Sequence, residues 1–184
     1  MKKIVATMLC LVMLLGCAAV AETAEKTLMG TVSVKGAFNL KCAIPEGYDL
    51  ITEPMDNGNI KSNISPKDET KPYMILTIAF NEIFADTKRL NDVDAETLTA
   101  IENTFREEYE VEITYTETTY GTKLLMAKEV DGAVDWVDFY TIYEGYEIEI
   151  VMAQSEAKEG ESITDEQIQI MLDFLSNLDF EEVK

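Results

Sequence analysis

Carboxylates supply most of the chemistry open to this chain, with 35 Asp and Glu against 15 Lys and Arg and no histidine. Without histidine no Ser-His or Cys-His pair can activate a nucleophile, and nearly all standard zinc ligand sets are excluded. Oxygen ligands suit hard cations, so calcium is the first metal to weigh. Two segments are oxygen-rich, Asp56-Asn57-Gly58-Asn59 and Asp92-x-Asp94-x-Glu96. Neither completes a calcium loop, because Gly58 comes too early and Thr97 replaces the required glycine; a turn and a helix cap are the plainer readings. Two carboxylates across a cleft would suffice for glycoside hydrolysis, but nothing in the spacing selects a pair. No motif for a cofactor is present.

The aromatic residues Tyr115, Tyr120, Trp136, Tyr140, Tyr143 and Tyr146 gather in one part of the chain. Trp136 and Tyr140 share parity and so point to one face of a strand; with Tyr120 they are the candidate lining of a groove for a sugar or peptide. Core packing or cross-strand pairing is the competing reading. Val134, Trp136, Tyr140 and Ile142 make a mostly apolar parity, with Asp138 the exception, that is expected to face the helices. The opposite set, Asp135, Val137, Phe139, Thr141 and Tyr143, is expected to be partly wet.

The N-terminus carries an export signature. Lys2 and Lys3 precede an apolar run from Ile4 to Gly16, too short to span a bilayer and of signal-peptide length. Two processing signals compete. Ala19-Val20-Ala21 is a small-x-small site that places cleavage after Ala21, whereas Leu14-Leu15-Gly16-Cys17 resembles a bacterial lipobox with Cys17 as the lipidated residue. The expected organisation is a signal peptide over 1–21 (1–16 if Cys17 is lipidated), a leader and first strand over 22–36, and a domain over 37–184. Cleavage after Ala21 removes Lys2 and Lys3, taking the net charge from −20 to −22, and leaves Cys42 as the one cysteine, expected to be buried and inert. Such acidity argues against nucleic acid or an anionic lipid surface as partner, leaving a lipid anchor as the only membrane link.

These groups must be positioned by elements that the patterning suggests. Thr27 to Val34 and Ala37 to Ile44 read as strands around Lys35-Gly36, and Pro45-Glu46-Gly47 as a turn. Residues 49–71 read as a long loop with a short hairpin around Asn57-Gly58. Tyr73 to Phe80 reads as a central strand, with Met74, Leu76, Ile78 and Phe80 on one face. Asp94 caps a helix reaching Tyr109, whose buried stripe is Leu98, Ile101, Phe105 and Tyr109. Strands follow from Val111, Lys123, Val134 and Glu147, divided by Tyr120-Gly121, Asp131-Gly132 and Glu144-Gly145. Thr164 and Gln167 have capping-box spacing ahead of a second helix. The expected fold class is α+β: one domain, a twisted antiparallel meander packed by two α-helices.

Phe38-Asn39-Leu40 with Ile44-Pro45-Glu46-Gly47-Tyr48, and Ile170 to Phe180 at the other end, resemble the opening strand and closing helix of the PsbP-like superfamily, which includes bacterial DcrB-like lipoproteins. The resemblance covers residues 37 to 180. It implies a PsbP-like α+β scaffold and a role in binding or assembly rather than catalysis, and it carries no site residues. The expected function is an exported, non-enzymatic bacterial binding or assembly module whose partner is a protein or small ligand of the cell envelope. The alternative is an envelope protein that binds calcium or a small solute, and behind that a carboxylate-only hydrolase.

Overall fold

The computed structural model describes residues 28–55, 58–108 and 110–183; the leader with Cys17 and Ala21, and also Asp56, Asn57 and Tyr109, lie outside them. β1 (Leu28–Val34) and β2 (Phe38–Ile44) pair antiparallel through the Lys35-Gly36 turn, and β10 (Asp179–Glu182) returns to the other edge of β2. A second, seven-stranded antiparallel sheet is built from β3 (Tyr48–Pro54), β4 (Ile60–Pro66), β5 (Tyr73–Phe80), β6 (Val111–Glu117), β7 (Lys123–Glu129), β8 (Trp136–Tyr143) and β9 (Tyr146–Ala153). Their order across the sheet is β3-β4-β5-β9-β8-β7-β6. The helices are α1 (Ala95–Glu108) and α2 (Asp165–Ser176).

The expected α+β class is therefore corrected: two antiparallel sheets and two short helices make a β-rich fold. The shortfall came from two segments. Residues 49–71 hold a full hairpin rather than a long loop, because Pro54 and Pro66 sit at strand ends where little pairing is lost. The acidic tail after Leu178 becomes β10, fixed by the stacking of Phe180 on Tyr143 at 4.4 Å between ring centroids and by a Lys41–Glu181 ion pair.

The main core lies between the two sheets and α2, where Phe38 and Leu40 meet Met74, Leu76 and Ile150, with Met171, Phe174 and Leu175 closing it. Thr164 caps α2 in a capping box with Gln167, as the spacing predicts. A second cluster packs α1 onto the outer face of β6, β7 and β8, through Ile101 and Phe105 against Leu125, Tyr140 and Ile142. Asp94 Oδ1 accepts from the Thr97 N–H and starts that helix. Phe80, expected in the core, is half exposed and meets Tyr146 edge-on at 5.3 Å.

The parity expectation for β8 holds in half: Tyr140 and Ile142 face α1 as expected, but the opposite set is not wet. Val137, Phe139, Thr141 and Tyr143 are buried, with Phe139 1% exposed, because the inner face of this sheet carries the main core. Trp136 is half-buried on the outer face, outside the main core. Val134 belongs to neither parity: it lies in the β7–β8 loop, its N–H donating to Ser162 Oγ and its carbonyl accepting from the Ile163 N–H.

Candidate functional site

β9 sends Ile148, Ile150 and Met152 into the core and Glu147, Glu149, Val151 and Ala153 to the outer face. Register sets the neighbours of each. Glu149 stands between Thr77 of β5 and Tyr140 of β8, and Glu147 between Ala79 and Ile142. Because α1 covers only the β6–β8 half of this face, a groove opens between the helix and the β5–β9 strands. Its volume is about 500 Å³, with Phe84, Ile101 and Phe105 as apolar walls and Glu147 and Glu149 at its floor. Volume, apolar walls and a few convergent polar groups are the common features of small-ligand sites.

Glu147 is held from two sides. Its Oε1 accepts from the Tyr140 hydroxyl at 2.7 Å and its Oε2 from Asn81 Nδ2 at 2.9 Å. Asn81 is itself fixed, because its Oδ1 accepts from the Ile83 N–H at 3.0 Å and caps the short turn Glu82–Phe84. Burial and the Glu147 carboxylate push the Tyr140 hydroxyl well above the usual tyrosine range, so it stays a donor.

Asp138 is 6% exposed and lies diagonally from Glu149 on the same face. Burial first, then the charge of Glu149 and a hydrogen bond between the two carboxyl groups, hold its pKa far above the usual carboxylate range. Asp138 Oδ1 has no hydrogen-bond partner among the described residues. At the far end of the face a second hollow of about 650 Å³ is lined by Tyr73, Trp136, Asp135 and Glu156. Trp136, Ala153 and Tyr73 lie in one row across β8, β9 and β5 there.

Of the residues proposed from sequence, the structure brings Trp136 and Tyr140 to one face and leaves Tyr120 out. Tyr140 is buried in the groove floor and Trp136 lines the second hollow. Tyr120, in the β6–β7 turn, is exposed beside Lys41, where Thr119 N–H donates to the Ser176 carbonyl at the end of α2. Cys17 and Ala21 fall outside the described residues. Of the calcium candidates, Asp94 is committed to capping α1, while Asp56 and Asn57 lie outside the described residues. No group of three or more Asp, Glu or Cys placed to hold a metal occurs among the described residues. Cys42 is buried against Gly30, and burial pushes its thiol up to about 11, which makes it inert.

Sequence reasoning missed Asn81, Glu147 and Glu149. Glu147 and Glu149 alternate with Ile148, Ile150 and Met152, a pattern that marks one polar face, and only the position of α1 turns that face into a groove floor. Asp138 did leave a signal, as an acid on an otherwise apolar parity. No family model and no curated protein matches the chain.

Proposed function

We propose that the protein is an exported, non-enzymatic binding module of the cell envelope whose ligand occupies the groove between α1 and the β5–β9 face. The observation that carries the reading is Glu147, fixed by Tyr140 and Asn81 at the floor of an apolar-walled groove. A polar anchor held by neighbours that do not move is what orients a ligand without loss of affinity to reordering. Catalysis by carboxylates is less well supported: glycoside hydrolysis needs a carboxylic acid in the cleft that gives its proton to the leaving group, yet Asp138, the carboxyl group with the strongly raised pKa, does not line the groove, and Glu147, which does, has both oxygens engaged by Tyr140 and Asn81.

The PsbP-like resemblance belongs to the same proposal. Its two ends meet in space: Phe180 pairs with Leu40 in register, and the Phe38 and Phe180 rings lie 5.8 Å apart. Tyr48, which closes the first signature, is buried and donates its hydroxyl to the Pro72 carbonyl at 3.0 Å.

A thermal-shift screen of small solutes on the processed protein, followed by backbone NMR of the hits, tests the reading. Ligand-induced shifts should fall on α1, β5 and β9, and Ala100→Trp, which fills the groove from the exposed face of α1, should abolish them. Hits that map instead to the hollow lined by Ile44, Pro45, Ile170 and Phe174, between the end of β2 and α2, or turnover on a glycan panel, would overturn it.

A further inference from the structure

We infer that the groove selects a small organic cation, a primary ammonium carried on a short apolar tail or ring. The inference rests on the groove being the ligand site and adds the class of ligand.

Charge comes first. Neutral donors, Tyr140 and Asn81, orient Glu147 but leave its charge uncompensated. Five ion pairs join described residues, and none includes Asp138, Glu147 or Glu149. No lysine or arginine lines the groove. Lys61, the basic residue nearest in register, faces Thr77 one strand beyond Glu149 and makes no ion pair with it. Partly buried carboxylates without a cation are unfavourable, and a bound ammonium offsets that burial.

Shape then separates an organic cation from a metal ion. The walls at Phe84, Ile101 and Phe105 offer no oxygen ligands, and the floor does not gather three carboxyl groups in metal-holding geometry. Glu147 and Glu149 are two residues apart on one strand face, roughly 7 Å, a span that three ammonium N–H donors can work across while the tail lies on the apolar wall. A volume near 500 Å³ fits a compact molecule rather than a stretch of peptide.

The test is an NMR titration with three probes of matched tail: 2-phenylethylamine, 2-phenylethanol and phenylacetate. The amine should shift β9 and α1 resonances and bind at least about tenfold more tightly than the alcohol, with phenylacetate weakest. Glu149→Gln should reduce amine affinity about tenfold and leave the alcohol unchanged, whereas Glu53→Gln, an equal charge change outside the groove, should alter neither by more than about twofold. Equal binding of all three probes in the groove would overturn the cation inference and leave the groove standing. Shifts confined to other surfaces would overturn both, and no shifts at all would overturn the cation inference. A lysine-bearing peptide that outcompetes the free amine would overturn the commitment to a small ligand.

Discussion

Asp138 and Glu149 stand diagonally on adjacent strands, and burial together with the Glu149 charge raises the Asp138 pKa far above the usual carboxylate range. The arrangement makes stability depend on pH in a definite direction. In the unfolded chain Asp138 ionises near its ordinary pKa of about 3.9, whereas in the fold it remains protonated to much higher pH. Its contribution is complete below about pH 4 and is lost progressively as pH rises, by up to about 1.4 kcal/mol per pH unit, until the folded group titrates. Asp138→Asn keeps a donor toward Glu149 and removes the proton equilibrium. Urea denaturation should find the two proteins similar at pH 4 and the variant at least about 1 kcal/mol more stable at pH 7. Stability curves that stay parallel across this range would disprove the raised pKa of Asp138.

The turn that sets the β8–β9 register makes a second prediction. Glu144 and Gly145 both have positive φ, 48° and 81°, as a two-residue hairpin requires. A Cβ on Gly145 would also come within 3.1 Å of Phe80 Cε2 and 3.2 Å of Ala85 Cα. Gly132 has φ of 89° but open space around it. Gly132→Ala should therefore lose roughly 1 kcal/mol from backbone strain alone, and Gly145→Ala roughly 2–4 kcal/mol. Equal losses in denaturant melts would mean that the Phe80 and Ala85 contacts give way freely.

Local chemistry explains which features could be read from the sequence. The Thr164–Gln167 box, the Asp94 cap and the Glu144-Gly145 turn each depend on residues within a few positions, and all are found where expected. β10 depends on β2, more than a hundred residues earlier, and no local pattern in Asp179-Phe180-Glu181-Glu182 shows that partner. Asp131-Gly132 signalled a tight hairpin, yet the β7–β8 connection is a longer loop whose Val134 and Asp135 carbonyls accept from Ile163 and Gln154. The acids of β9 illustrate the same limit at the site. Their alternation gave the right face, but whether that face is open water or a groove floor is decided by α1, which packs from elsewhere in the chain.

Export makes a third prediction, from the leader alone. The secreted protein should begin at Glu22, or at a lipidated Cys17, since both processing signals lie within five residues of each other. Intact mass spectrometry of protein recovered from outside the cytoplasm separates the two by the five residues Cys17 to Ala21 and the lipid. A mass that still includes Met1 to Gly16 would remove export from the proposal.

The two faces of β8 give the last prediction. Phe139 points into the main core and is almost fully buried, while Trp136 is half-buried on the outer face. Truncating a fully buried aromatic removes its transfer energy and leaves a cavity, so Phe139→Ala should cost about 3–5 kcal/mol. Trp136 retains part of its water contact in the native state, and neighbours at a half-open site can relax toward the gap. Trp136→Ala should accordingly cost less, roughly 1–2 kcal/mol. Because Trp136 is the single tryptophan, acrylamide quenching reports its exposure directly and should lie between free indole and a buried ring. A Trp136 loss that equals or exceeds the Phe139 loss, with fluorescence protected from acrylamide, would place the core of this sheet on the opposite face.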